Sequence, residues 1–422
     1  MAHSLTSNTL TKVAKGFAAE FEAARIISKT VNTTVLDGLF GADSGTTVYV
    51  KRPHQFKSIS TAAGDISLST KSDIIAGRMP ATVQNYLTVA MEWSEKEETL
   101  QLDQLRNILR PAATQLVIDM ETNLKTYMIG NLGLTYGTLG TLVDAWADVT
   151  GCDSLLDSLG VPGADRYYIG TPFTKQLLAS AYMSVAGLPS NKVGMAWDEA
   201  QFGQKCGNTT CLSAGSMNTW TNGACADLAG ALSGAPDVTY ATHKDTHYQT
   251  IALKSLSAAG VITAGSVIQY TGIYYVNPKT QQPVRGVDGA LIPFRQTVVT
   301  GVTLDGSGTG SISVSPPAIY EATGAYNNVT SAPTTDTVVT ILGASATAYQ
   351  PNLFYQKDAI MLATIKLGRM FATDVFFETA DGISVRVSKY ADGDKNQNKI
   401  RFDILPAFGV MNPMFGGKSF GL

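Results

Sequence analysis

The chain has 422 residues, 44% of them hydrophobic and 15% charged, which is a globular composition long enough for about two to four domains. Its formal net charge of −3 lacks the basic excess needed to grip nucleic-acid phosphates, and it has no run of about 18 apolar residues to span a membrane. The N-terminus has no continuous apolar core of a signal peptide, and the four cysteines (Cys152, Cys206, Cys211, Cys225) contain no CxxC pair, so the sequence predicts a protein made and kept in cytosol.

Residues 1–45 predict a helix capped by Thr9 or Thr11, with Val13, Phe17, Phe21 and Ala24 on one face and Ile26 and Ile27 beyond. Asp37-Gly38 and the glycines at 41 and 45 then break the chain. The stretch from Thr46 to Asn131 organises the rest of the chain. It reads as a long two-stranded arm, out along Thr47–Ser58, around a polar tip at Thr61–Asp73, and back along Thr82–Trp93. A hairpin of that length with few large apolar side chains near its tip needs support, either from its own body or from a neighbouring chain. The arm is basic (Lys51, Arg52, Lys57, Lys71 and Arg78 against Asp65 and Asp73). The next segment is acidic (Glu92, Glu95, Glu97, Glu98 and Asp103 against Lys96). Such blocks are usually solvated faces, but they also suit a contact between copies.

Arg110-Pro111 predicts the start of a long helix, with Ala113, Leu116, Val117, Met120, Leu124, Tyr127 and Met128 on its apolar face. Gln115, Asp119, Glu121, Asn123 and Lys125 lie mostly off that face. Residues 134–220 read as mixed α/β: a helix within Thr141–Gly160, a short strand at Arg166–Gly170, a helix opened by Thr171-Pro172, and another at Asn191–Gly203. From Ala235 to about Tyr349 helical periodicity gives way to short strands separated by turns, which predicts a sandwich or small barrel inserted into an α/β region. Leu353–Leu367 resumes as an apolar strand. Gly382–Pro413 reads as two strands about a polar turn, and the tail from Met414 is glycine-rich.

Catalytic signals are weak. His243 and His247 lie four apart in a strand-like run and read as exposed strand residues. Cys206 and Cys211 have no nearby histidine to complete a tetrahedral metal set. Gly417-Lys418-Ser419 resembles the end of a phosphate loop but lacks the glycine five residues earlier and any following helix. No catalytic, cofactor or metal residues are assigned, and the expected work is contact rather than turnover. A β-rich tail-fibre or carbohydrate-binding protein and a hydrolase with an unrecognised site stand as alternatives at this point.

The runs VKRPHQF (50–56), GDIS (64–67), PNLFYQKDA (351–359), VSKYADGD (387–394), KIRFDILPAF (399–408) and NPMFGG (412–417) resemble the major capsid protein of short-tailed bacteriophages, in order and over nearly the whole chain. That resemblance implies an α+β tailed-phage capsid fold of the Hong Kong 97 type. Its parts would be an N-terminal arm (1–45), an extended loop (46–91) and a peripheral domain with a spine helix (92–131). An axial domain (132–222 and 350–385) would carry an inserted all-β domain (223–349), followed by return strands (386–422). It further implies hexamers and pentamers in an icosahedral shell, a scaffolding protein, a portal protein, DNA enclosed without sequence-specific binding, and assembly in the host bacterial cytoplasm. Combined with the opposed charge blocks, it gives Lys51, Arg52, Lys57, Lys71, Arg78, Glu95, Glu97 and Glu98 as candidate intersubunit contacts.

Overall fold

The computed structural model describes residues 6–36, 38–41, 45–62, 64–67, 69, 71, 73–94, 105–183, 205–215, 219–322, 324–371, 374–392 and 397–422. The helix expected at Asn191–Gly203 lies outside them. The class is α+β, and the chain folds as two units, each assembled from three separate stretches.

The first unit comprises Met1–Val48, Ala81–Lys125 and Ile360–Gly409. Its N-terminal helix, Thr6–Ala24, starts before Thr9 and Thr11, so neither residue is its cap. Phe17 and Phe21, one turn apart, are fully buried. Phe17 stacks on Phe402 with ring centroids 4.0 Å apart. Phe402 sits in a four-stranded antiparallel sheet of Val375–Glu378, Ser384–Asp392, Gln397–Ile404 and Leu87–Ser94.

Both faces of Ser384–Ser388 are buried. Val385 and Val387 are buried, but so are Ser384, Arg386 and Ser388. Arg386 is buried because Asp403, its partner across the ladder, accepts its guanidinium at 2.6 Å. Asp403 also accepts Arg401 at 2.6 Å and the Thr88 hydroxyl at 2.7 Å. A buried carboxylate with these donors meets the condition for burying charge.

The long helix runs Leu105–Asn131, so Pro111 lies inside it rather than opening it. The missing Pro111 N–H leaves the carbonyl four residues back without its usual helical bond. The apolar face is buried as the periodicity predicts, from Leu109 through Leu116, Met120 and Leu124. Glu121 and Lys125, placed off that face by periodicity, are buried too. Glu121 accepts the backbone N–H of Ile26 at 2.7 Å and that of Ser28 at 3.1 Å, together with the Ser28 hydroxyl at 3.1 Å. It therefore holds the turn after the N-terminal helix. Burial lowers the pKa of Lys125 to about 8, against the opposing pull of Glu121.

The second unit comprises Tyr49–Pro80, Thr126–Ala359 and Val410–Leu422. Six strands close a barrel in the order Gln249–Lys254, Gly310–Ser315, Pro293–Thr300, Val267–Tyr274, Val338–Leu342 and Ala229–Leu232. Closure leaves no sheet edge. Ile251, Leu253, Phe294, Val298 and Ile312 belong to its core. A six-stranded sheet lies in the same unit, ordered Leu134–Tyr136, Gly416–Ser419, Asn352–Gln356, Arg166–Gly170, Thr209–Ser213 and Lys205–Cys206. The helix Pro172–Met183 begins as its sequence predicts. The Thr171 hydroxyl accepts the Thr174 N–H at 3.1 Å, and proline takes the first helical position.

The glycine-rich tail, whose structure the sequence left open, includes a buried strand, Gly416–Ser419, between two others. Two expectations change here. Leu353–Leu367 is two strands, Asn352–Gln356 and Ile360–Thr364, separated by a turn of 3-10 helix. His243 and His247 are buried rather than exposed, because the first ends a one-turn helix, Tyr240–His243, instead of lying in a strand.

Candidate assembly surface

Among the described residues, the extended arm is paired as strands only at its root. Thr47–Lys51 and Arg78–Val83 are strands, and the Arg52 N–H reaches the Gly77 carbonyl at 2.8 Å. Between them the described residues form no strand. The return stretch expected as one strand divides. Leu87–Ser94 leaves the arm and pairs in full register with Gln397–Ile404. Pro53, which has no N–H to donate, and a polar stretch without alternation explain why the ladder stops.

The basic residues of the arm fall into two sets. Lys51, Lys57 and Lys71 are exposed. Arg52 is partly buried, with its guanidinium 5.3 Å from the centroid of the Tyr240 ring. Burial draws its pKa below the ordinary arginine value, opposed by the Tyr240 and Tyr326 hydroxyls. Arg78 lies over Tyr49 at 4.2 Å and pairs with Asp245 at 3.7 Å. Glu95, Glu97 and Glu98 lie outside the described residues. Beyond the root, the arm exposes apolar side chains that the charge pattern did not single out: Phe56 (63% exposed), Ile59, Ile66 and Ile74 (75%).

Among the described residues, the titratable groups of the second unit do not form a reactive set. His247 is buried with Nε2 2.9 Å from the Asn131 side-chain oxygen, and burial, helped by the Arg52 charge, lowers its pKa to about 4. His243 Nε2 sits 2.8 Å from the Asp237 carbonyl. Burial raises Cys152, Cys206 and Cys211 above the ordinary thiol value, the last to about 12, so these sulfurs are held as thiols. A cavity of about 460 Å³ beside Phe173 and Tyr349 is lined by apolar, hydroxyl and amide side chains and offers no carboxylate, imidazole or thiol. Among the described residues, no three His, Cys, Asp or Glu side chains gather as a metal site, and no helix is long and apolar enough to cross a membrane.

Lys418 is a buried group to which the sequence assigned no role. It is fully buried, and its ammonium donates to the carbonyls of Gly265 at 2.6 Å and Ile129 at 3.3 Å. It also lies 5.3 Å from the centroid of the Trp220 ring. The Gly-Lys-Ser run therefore faces the interior of the unit and is no phosphate loop.

Comparison with known proteins identifies the family of the chain. The family model of the P22 coat protein, gene protein 5, matches residues 1–421. A major capsid protein of Acyrthosiphon pisum secondary endosymbiont phage 1 is 34% identical over 426 residues, covering 100% of both chains. Among solved structures, one from Mycobacterium phage Che8 is similar at a TM-score of 0.46 and 9% identity, covering 93% of this chain and 90% of that one. The capsid of Ralstonia phage GP4 gives a TM-score of 0.42 and 8% identity, covering 93% and 87%. The assignment rests on the family model and the full-length relative, and it sets aside the tail-fibre, carbohydrate-binding and hydrolase alternatives. The chain belongs to the P22 coat protein family, and it is a shell-forming major capsid protein of a tailed phage rather than an enzyme.

Proposed function

We propose that copies of this coat protein close as hexamers and pentamers into an icosahedral shell around packaged DNA, with the extended loop of each copy lying over the acidic segment of the next. The carrying observation is the loop beyond Arg52, where Phe56, Ile66 and Ile74 stay in water when a single chain folds. Several large apolar side chains exposed along one loop favour an interaction site, and a second copy of the chain is the partner a shell supplies. Lys51, Lys57 and Lys71 on the same loop are exposed and face no like charge if the neighbour presents Glu95, Glu97 and Glu98. Arg52 and Arg78 hold the loop's root within its own chain, so their part in the contact is to direct the loop.

Assembly takes place in the host cytoplasm around a scaffolding protein, with a portal protein at one vertex for the genome. The net charge of −3 fits a lining that lets DNA move, since a strongly basic surface would hold it through its phosphates. Charge reversal tests the loop contact. Lys71→Glu should lower the yield of closed shells, and adding Glu97→Lys should restore it. One exposed pair is worth only about 0.2–1 kcal/mol, but the loss recurs at every interface. Normal assembly of Lys51→Glu, Lys57→Glu and Lys71→Glu single variants would remove the charge contact from the account.

A further inference from the structure

The extended loop is attached at two strands, and most of the residues that fix its direction lie outside those strands. Its outgoing limb passes Tyr240 and Tyr326, whose rings are parallel within 2° and 3.5 Å apart at their centroids. These rings come from different connections of the barrel. Tyr240 lies between Ala229–Leu232 and Gln249–Lys254, and Tyr326 between Gly310–Ser315 and Val338–Leu342. Tyr240 is buried, and its N–H is held by Glu321 at 3.0 Å. The pair is therefore part of the barrel and not of the loop.

Two loop groups meet these rings in ways that depend on direction. The Arg52 guanidinium lies over the Tyr240 face at 5.3 Å, a contact that strengthens as water is removed. Three residues on, the Gln55 N–H donates to the Tyr326 hydroxyl at 3.0 Å. The returning limb is held by the same barrel connection. The Arg78 N–H donates to the Lys244 carbonyl at 3.2 Å and to Asp245 at 3.2 Å. At Gly77 a Cβ would stand 2.6 Å from the Lys244 carbonyl oxygen and 3.1 Å from the Tyr240 hydroxyl. Only glycine lets the backbone come that close without a shift. The loop residues 49–80 accordingly fold with the barrel's unit.

We propose that the β-barrel is a positioning element for assembly, latching both limbs of the extended loop through Arg52, Gln55, Tyr240, Tyr326 and Gly77 so that the loop leaves the subunit in a set direction before a partner arrives. The role of the loop rests on the function proposed above, but the latch itself is a property of the single chain and is tested there. A loop already aimed loses less conformational freedom on docking. A loop freed from the barrel would sample many directions and enter assembly from a small competent fraction.

Trypsin cleavage after Lys57 and Lys71 in the unassembled full-length chain reads the latch directly. The double variant Arg52→Ala, Tyr326→Phe keeps the ring stack and should be cut about tenfold faster at both sites, because local opening sets proteolysis of a tethered loop. Gly77→Ala should act in the same direction. Amide exchange protection of Gln249–Lys254 and Gly310–Ser315 is the folding control. If Tyr326→Phe lowers that protection, Arg52→Ala alone, which changes only a loop residue, decides in the same way. Cleavage within about twofold of the parent, with the barrel protected, would overturn the latch while leaving the capsid function untouched. Faster cleavage together with normal assembly of the charge-reversal variants would uphold the latch and remove the charge contact.

Discussion

Arg166→Met is expected to destabilise the six-stranded sheet's unit by about 3–5 kcal/mol, the cost of leaving a buried carboxylate without its cation. Arg166 is 0% exposed and spends all five of its N–H donors. It donates to Asp153 at 2.6 Å and Asp157 at 2.7 Å, and to the carbonyls of Pro162 at 2.9 Å, Val161 at 2.6 Å and Asp153 at 3.3 Å. Asp153 in turn accepts the Thr209 hydroxyl at 2.8 Å and the Asn208 N–H at 3.2 Å. The Arg166–Asp153 pair therefore ties the helix Trp146–Ser158 to two strands of the sheet. Urea denaturation followed by amide exchange across residues 146–213 measures the loss. The double variant Arg166→Met, Asp153→Leu should recover part of it, since removing both charges also removes the uncompensated one. A single-variant loss below about 1 kcal/mol would mean that the pair is solvated, which its burial contradicts.

The second large effect depends on pH and has the opposite sign. Burial lowers the pKa of Lys418 to about 7 from an ordinary 10.5. Below about pH 7 the amine is charged in both the folded and the unfolded chain, and the fold bears the full cost of burying that charge. Between pH 7 and 10.5 the unfolded chain binds a proton that the folded chain does not, so stability rises with pH through this window. At 1.36 kcal/mol per pKa unit the rise is on the order of 4 kcal/mol. Lys418→Met should lack it, and should be the more stable chain at pH 6 and lose that advantage by pH 10. Buried tyrosines such as Tyr168 and Tyr270, whose pKa values burial raises, titrate in both chains and cancel in the difference. Stability differences between parent and variant that stay constant from pH 6 to 10 would contradict the shift.

The residues that made the fold legible carry local signals. Thr171-Pro172 announces a helix start through one hydroxyl and one missing N–H. The spacing of Leu116, Met120 and Leu124 announces a buried helical face. The change from helical spacing to short strands near residue 230 announces the barrel. The illegible parts depend on partners far away in sequence. Gly416-Gly417-Lys418-Ser419 has poor strand propensity, and it is a strand because Leu134–Tyr136 and Asn352–Gln356 enclose it. Its glycines mark close approach rather than looseness, since a Cβ at Gly417 would stand 2.0 Å from the Leu134 carbonyl oxygen. Glu121 looked like a solvent-facing member of a periodic pattern, and Arg386 is a charge between two buried valines. Their burial is set by donors and acceptors that no period encodes.

The arm shows the same division. Its basic character is plain in the sequence, but charge alone does not separate Lys51, Lys57 and Lys71 from Arg52 and Arg78. That separation requires Tyr240, Lys244, Asp245 and Tyr326, well over a hundred residues away. The apolar exposure of Phe56 and Ile74 likewise becomes informative only once the body of the chain is seen not to cover them.

Negative-stain electron microscopy of the purified chain, expressed alone and together with a scaffolding protein, tests the central claim most directly. Closed shells or curved sheets of uniform thickness are the predicted result, with the shell diameter fixing the number of copies. A monodisperse monomer or trimer under both conditions would contradict a chain whose function is to contact copies of itself.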